Sequence, residues 1–187
     1  MDIRLLHVPG GGDSGPDHWH THWERTDPRC ERVIQSDWFD GSRSDWVAAL
    51  DRQVRASAVP TVVVAHSLGN LAVAHWAAAA GASVGPVVAG MMVAPVDVES
   101  QGLDPDSIYA RFRPLPMATL PFPSTLVASR DDPWISIERA AEVASAWGST
   151  FVDAGPMQHL GSECRLGTWP QGRAIVAQLI ERAGPAR

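Results

Sequence analysis

Residues 61–69 read TVVVAHSLG. A β-branched run leads straight into Ala65-His66-Ser67-Leu68-Gly69, and an Ala-rich helical segment follows. A serine on such a strand-to-helix turn is lifted above the end of its strand with its hydroxyl projecting, which is how an attacking serine is presented. The residues two before and two after it approach each other closely and must be small; Ala65 and Gly69 are. The pattern is a variant of GxSxG with Ala65 in place of the first glycine. The bland alternative is a serine that merely caps a helix.

A hydroxyl is a poor nucleophile until a base takes its proton, and the base needs a carboxylate to orient it. The chain supplies both, in the order Ser, Asp, His. STLVA (124–128) is followed by Ser129-Arg130-Asp131-Asp132-Pro133-Trp134, and TFVD (150–153) by Ala154-Gly155-Pro156-Met157-Gln158-His159. Asp131 and Asp132 compete for the acid. Asp132 is preferred, because Asp132 to Ser136 leads into the next helix through Ile135. Two solvated acids in an Asx turn are the alternative, and Asp97 is a weaker candidate.

The first strand ends in His7-Val8-Pro9-Gly10-Gly11-Gly12-Asp13-Ser14-Gly15-Pro16. Consecutive glycines free backbone N–H groups to approach a ligand. With the N–H of Leu68, that of Gly11 is expected to form an oxyanion hole. Gly12, His18 and Trp134 are candidate substrate-lining residues. No GxxxxGK[ST] pattern follows, so a phosphate loop is not expected, nor does the run match GxGxxG with a later acid. His18 and His22 are spaced i, i+4 within DHWHTHWE, as zinc ligands on one helix face can be. The HExxH glutamate and a nearby third ligand are missing, so no metal is expected. Trp19 and Trp23 are expected in the core.

These residues need a scaffold. Short apolar runs at 3–8, 31–35, 61–65, 87–94, 124–128 and 150–153 alternate with helical segments. The helices are expected from near Pro16, over 43–57, from Leu68 to Ala80 with Gly81 as the stop, over 137–147 and over 171–183. Ser42 and Asp45 are spaced like a capping box. The alternation predicts an α/β fold with a mostly parallel central sheet of about six strands and helices on both faces. Loops at the carboxyl ends of such strands are where sites lie. Residues 95–123 carry six prolines and fit no regular element; this long connection is expected near the site. Arg111 and Arg113 within it are more readily solvated charges than substrate contacts.

The 187 residues suit a single domain spanning 1–187. The net charge is −6, from 15 Lys+Arg against 21 Asp+Glu. With no basic run, neither nucleic acid nor a stable membrane association is expected. Cys30 and Cys164 make no disulfide framework or CxxC motif. No secretory leader and no apolar stretch of about 20 residues is seen. The expectation is a soluble, cytoplasmic protein; its oligomeric state is open.

The segments VPGGGDSGPDHW, VVAHSLGNLAVAHWAA, ASRDDPW and TWPQG, spread over nearly the whole chain, resemble the small serine hydrolases related to retinoblastoma-binding protein 9 and the bacterial YdeN-type hydrolases. The resemblance implies an α/β-hydrolase core with little or no cap domain. It implies Ser67, Asp132 and His159 as a catalytic triad acting on ester or peptide-like substrates, and it favours Asp132 because the acid precedes the proline in that family. Bacterial members often carry an HINxxSG-like run at the histidine; here it reads His159-Leu160-Gly161-Ser162-Glu163-Cys164.

The reaction expected is carboxylesterase-like: hydrolysis of a small carboxylic ester through an acyl-enzyme, without a cofactor. A peptidase or amidase would use the same triad. A binding protein with little turnover is the rival from another class, and a lipid-surface lipase ranks lower.

Overall fold

Alternate residues of the central strands face opposite ways, and both sides are apolar. The computed structural model, which describes residues 2–100 and 102–184, turns this pattern into one six-stranded sheet. Its strands are β1 (Arg4–Val8), β2 (Cys30–Arg32), β3 (Thr61–His66), β4 (Val87–Val93), β5 (Ser124–Ala128) and β6 (Thr150–Asp153). Their order is β2-β1-β3-β4-β5-β6, and every pair is parallel. Five helices cover the sheet: α1 (Trp19–Thr26), α2 (Arg43–Arg55), α3 (Leu68–Ala80), α4 (Ile137–Trp147) and α5 (Pro170–Ala183).

Leu6, Val8, Val63, Ala65, Met92, Leu126 and Ala128 pack against α2, α3 and α4. The residues between them, including Leu5, Val62, Val64, Met91, Val93 and Val127, pack against α1 and α5. The period-2 alternation of a strand thus feeds two cores. Trp46 and Leu50 of α2 fill the first; Trp19, Trp23, Val176 and Leu179 of α1 and α5 fill the second. Burial of side chains this large is the main driving force for docking the helices.

The helix ends follow their sequence signals. Ser42 and Ser136 accept the N–H of Asp45 and Arg139 and so cap α2 and α4. Gly148 ends α4 in the left-handed conformation at φ 67°. The expected helix near Pro16 begins at Trp19, because His18 takes the capping position: its Nδ1 accepts the His20 N–H at 3.1 Å. The second helix ends at Arg55 rather than 57, and the second strand is Cys30–Arg32 rather than 31–35. Ile34 lies past this edge strand and is exposed.

The described residues of the 95–123 connection carry a 3-10 turn (Ala110–Phe112) and are anchored by buried Ile108, Phe112, Leu115, Leu120 and Phe122. Arg111 binds Asp40, and Arg113 donates to the Val98 carbonyl, so both brace the connection. No helix among the described residues is long and apolar enough to cross a membrane.

Candidate active site

Ser67 follows β3 and precedes α3 at φ 55° and ψ −126°, a backbone conformation that L side chains rarely adopt. Its hydroxyl makes no capping bond to α3, which sets it apart from an ordinary N-cap serine. The turn is held from three sides. The Ser67 N–H donates to the Val93 carbonyl at 3.0 Å. The buried Asn70 amide donates to the Ser67 and Val93 carbonyls at 2.9 and 2.7 Å. A Cβ on Gly69 would collide with the Val8 and Pro9 carbonyls, and one on Gly10 would stand 2.6 Å from Ser67 Cβ. Glycine at these two positions lets the helix and the first loop close on the nucleophile turn.

Ser67 Oγ lies 2.9 Å from His159 Nε2, and His159 Nδ1 lies 2.9 Å from both carboxylate oxygens of Asp132. The Asp132 side chain is fully buried and that of His159 is 14% exposed. A carboxylate against Nδ1 fixes the tautomer that leaves Nε2 free to take a proton from the serine. Asp132 also accepts the Trp134 N–H at 2.9 Å. The three residues come from loops after β3, β5 and β6, at one edge of the sheet.

Asp131 does not reach the histidine side chain. Its Oδ1 accepts the Ser129 hydroxyl and the Gln158 N–H, both at 2.7 Å, while Ser129 Oγ accepts the Met157 N–H at 2.8 Å. These bonds lash the acid loop to the histidine loop and hold the Asp131 carboxyl below its ordinary range. Asp97 likewise stays away: its Oδ1 accepts the Glu99 N–H and faces Arg139 at 3.6 Å.

The HLGSEC loop is held by groups from elsewhere. His66 Nε2 donates to the His159 carbonyl at 2.9 Å, and Trp19 Nε1 donates to the Leu160 carbonyl at 2.9 Å. The Cys164 thiol lies 2.9 Å from the Met157 carbonyl. Gln158 and Leu160, on either side of His159, both take positive φ, at 45° and 54°, so the turn depends on these ties. Trp23 Nε1 donates to the Thr168 carbonyl at 2.7 Å and extends the clamp.

A cavity of about 180 Å³ opens at Ser67, lined by Gly10, Gly11, Asp13, His18, His66, Tyr109, Trp134, His159 and the Gly161–Glu163 turn. Gly11, His18 and Trp134 all line this cavity. Gly12 does not line this cavity: at φ 80° it is exposed, and its N–H donates to the Trp38 carbonyl at 3.0 Å. Among the described residues, no backbone or side-chain group accepts the Gly11 N–H or the Leu68 N–H. A second cavity, lined by Asp131, Pro133, Trp134, Gln158, His159 and Glu163, continues outward from the histidine.

Behind the site lies a row of buried histidines. Ring centroids are 5.1 Å apart from His159 to His66, 4.7 Å from His66 to His18, 4.9 Å from His18 to His20 and 4.4 Å from His20 to His7. Burial disfavours their charged forms. It lowers His18 from 6.5 to about 3, His66 and His20 well below their ordinary value, and His7 in the same direction. Four neutral rings thus form the wall behind His159. Among the described residues, no group of three or more His, Cys, Asp or Glu is arranged to hold a metal ion.

Tyr109, His66, Asn70 and Ser129 were not singled out by sequence reasoning. His66 sits inside the serine motif, where the pattern assigns it no role. Tyr109 lies in a stretch without periodicity, and its place over the glycine loop follows from tertiary contacts alone.

A parallel sheet with helices on both faces, a strained serine between β3 and α3, and partners after β5 and β6 define an α/β-hydrolase. The chain belongs to the serine hydrolase family, whose sequence profile matches residues 5–178. A protein of Pectobacterium atrosepticum named as a YdeN-like hydrolase is 30% identical, with 98% of this chain and 94% of that chain covered at a TM-score of 0.84. The ydeN gene product of B. subtilis is 11% identical, covering 95% of this chain and 99% of its own at a TM-score of 0.73. Est1E of Butyrivibrio proteoclasticus, solved with ferulic acid bound, is 14% identical, covering 97% and 89% at a TM-score of 0.70. The last two likenesses concern the fold alone. None of the curated proteins matches the chain.

Proposed function

We propose that the protein hydrolyses small carboxylic esters through an acyl-enzyme on Ser67. The observation that carries this reading is the continuous relay from Ser67 Oγ through His159 to Asp132, each step 2.9 Å, on a backbone turn that no helix cap requires.

In the proposed reaction Ser67 Oγ attacks the ester carbonyl carbon while His159 Nε2 takes its proton. The carbonyl oxygen becomes an oxyanion facing the N–H groups of Leu68 and Gly11. Donors fixed in place before the reaction need no rearrangement as the charge develops. The C–O bond to the alcohol breaks, and His159 returns the proton to the departing oxygen. Water, deprotonated by His159, then attacks the acyl-serine, and Ser67 leaves with its proton restored. Asp132 holds the imidazole and stabilises its charged form without taking the proton. No step calls on a cofactor.

The size of the cavity at Ser67 supports a short acyl group. The outer cavity beside Trp134 would take the alcohol portion. Cys30 and Cys164 are both free, which fits a reducing compartment such as the cytoplasm.

The test is a fluorophosphonate probe with the adduct located by mass spectrometry, followed by p-nitrophenyl esters of increasing acyl length. Labelling at Ser67 that vanishes in Ser67→Ala and in His159→Ala supports the reading, with acetyl to butyryl esters preferred. No labelling of folded wild-type protein overturns it and leaves the hydrolase scaffold as a binding site. Matched anilides tell an amidase from an esterase.

A further inference from the structure

The 95–123 connection has a place in the site that neither the triad nor the glycine loop explains. It delivers Tyr109 into the cavity that contains Ser67, Gly10, Gly11 and His159. A Cβ built on Gly11 would stand 3.0 Å from the Tyr109 hydroxyl oxygen. The space that a side chain at position 11 would fill is therefore occupied by a phenol. Glycine at this position does two things: it exposes its own N–H, and it admits the hydroxyl where a Cβ would stand.

The phenol is held in place. Ile108 and Phe112 on either side of Tyr109 are buried in the core. Arg111 and Arg113 brace the same turn against Asp40 and Val98. The ring packs against Trp134 at a tilt of 33° with centroids 4.7 Å apart, and Trp134 lies 6.0 Å from the His159 ring. Among the described residues, the hydroxyl makes no hydrogen bond. An unused donor on a fixed ring, at the wall of a reaction cavity, is an arrangement that favours charge developing nearby. Burial raises the Tyr109 pKa above its ordinary value, so the group keeps its proton.

We propose that the Tyr109 hydroxyl is a third oxyanion donor, hydrogen-bonding the same substrate oxygen as the N–H groups of Gly11 and Leu68. The inference rests on the proposed acyl-enzyme reaction and adds a side-chain donor to it. The bond is a hydrogen bond only: the proton stays on the phenol, and the charge on the substrate oxygen collapses back into the carbonyl when the alcohol leaves. The long connection then has a catalytic purpose, because it carries a donor that the core strands do not supply.

Tyr109→Phe tests this, since it removes one oxygen and keeps the ring against Trp134. The expected result is a fall in kcat of about 100-fold, the usual effect of losing one oxyanion donor, with KM within about threefold. The fall is the same for acetyl and butyryl esters, because the affected oxygen is common to both. The inhibition constant of an alkylboronic acid, whose tetrahedral adduct mimics the intermediate, weakens in proportion. Thermal unfolding reports whether the variant is folded, and Tyr109→Trp serves as a second variant that keeps a stacking ring and a donor but displaces the donor. A wild-type kcat in Tyr109→Phe overturns the inference, as does an effect confined to KM, which would make Tyr109 a packing residue. Failure of wild-type Ser67 to take the fluorophosphonate probe instead defeats the hydrolase reading itself, so the two failures are told apart.

Discussion

Among the described residues, two histidines lean on a carboxylate through Nδ1, and one of them meets a hydroxyl. His159 faces both oxygens of Asp132 and presents Nε2 to Ser67 in a cavity. His7 donates to Glu24 at 2.7 Å, yet its ring is fully buried, stacked on His20, and its Nε2 has no partner among the described residues. Glu24 is also shared: Arg32 binds both of its oxygens and reaches on to Asp13, Thr21 and the Ser14 carbonyl. Burial alone would raise Glu24, but the bonds from His7 and Arg32 outweigh it and hold the carboxyl below its ordinary value. The two pairs share a geometry and differ in surroundings. A histidine–carboxylate couple acts as a base where its second nitrogen opens on a nucleophile; closed in, it braces a loop. Here the braced loop is the glycine loop itself.

The sharpest way to break this comparison is to remove one carboxylate charge from each pair. Asp132→Asn is expected to lower kcat by about 10⁴-fold, because the amide favours the wrong tautomer of His159, while stability changes little. Glu24→Gln is expected to do the reverse. It leaves the partly buried Arg32 and the buried His7 mispartnered and lowers unfolding free energy by about 2 kcal/mol, with kcat within about tenfold. Ester kinetics and urea denaturation of both variants decide it; a catalytic collapse in Glu24→Gln with stability intact would erase the distinction.

Acid should act on the buried row as a whole. His7, His18, His20 and His66 are neutral in the folded protein, with pKa values depressed from the ordinary 6.5. The unfolded chain takes up protons that the folded one refuses, so stability rises with pH in this window and is lost as pH falls below about 6.5. Each such ring contributes up to about 1.4 kcal/mol per pH unit, and for His18 the loss continues to about pH 3. Thermal melts between pH 7.5 and 4.5 should show a steep fall below pH 6.5. His20→Phe should flatten it if the variant folds, and a flat profile in the wild type would show that the row is not neutral.

The smallest effect concerns the nucleophile. Ser67→Gly relieves the positive φ and is expected to raise unfolding free energy by about 1 kcal/mol, whereas Ser67→Ala keeps the strain. Melting temperatures of the two inactive variants, compared directly, test this; equal values would mean that the turn is not strained.

The strands were legible because burial on both faces writes a continuous β-branched run, as in Val62, Val63 and Val64. The helix ends were legible wherever a local signal decides them, as at Ser42, Ser136 and Gly148. The order of the serine, acid and histidine loops could be read because each follows its own strand. What local sequence does not carry is the partner of a group brought in from afar. Gly12 looked as available as Gly11, but Trp38, distant in sequence, claims its N–H. Asp131 and Asp132 are neighbours of the same type; the sequence favours Asp132 for the imidazole, but the lash from Asp131 to the Gln158 turn shows only in the fold. Tyr109 lies among prolines, where no periodicity points to a destination.

The ties from Trp19 to the Leu160 carbonyl and from Trp23 to the Thr168 carbonyl also have a meaning for biosynthesis. A nascent chain that has emerged as far as Asp132 owns a serine and a carboxylate but no imidazole to join them. When His159 is made, its loop still needs the first helix, synthesised long before, to receive its backbone. Two segments some 140 residues apart in sequence therefore complete one another. On the proposed reading, ester cleavage would appear only once the histidine loop has docked on the first helix.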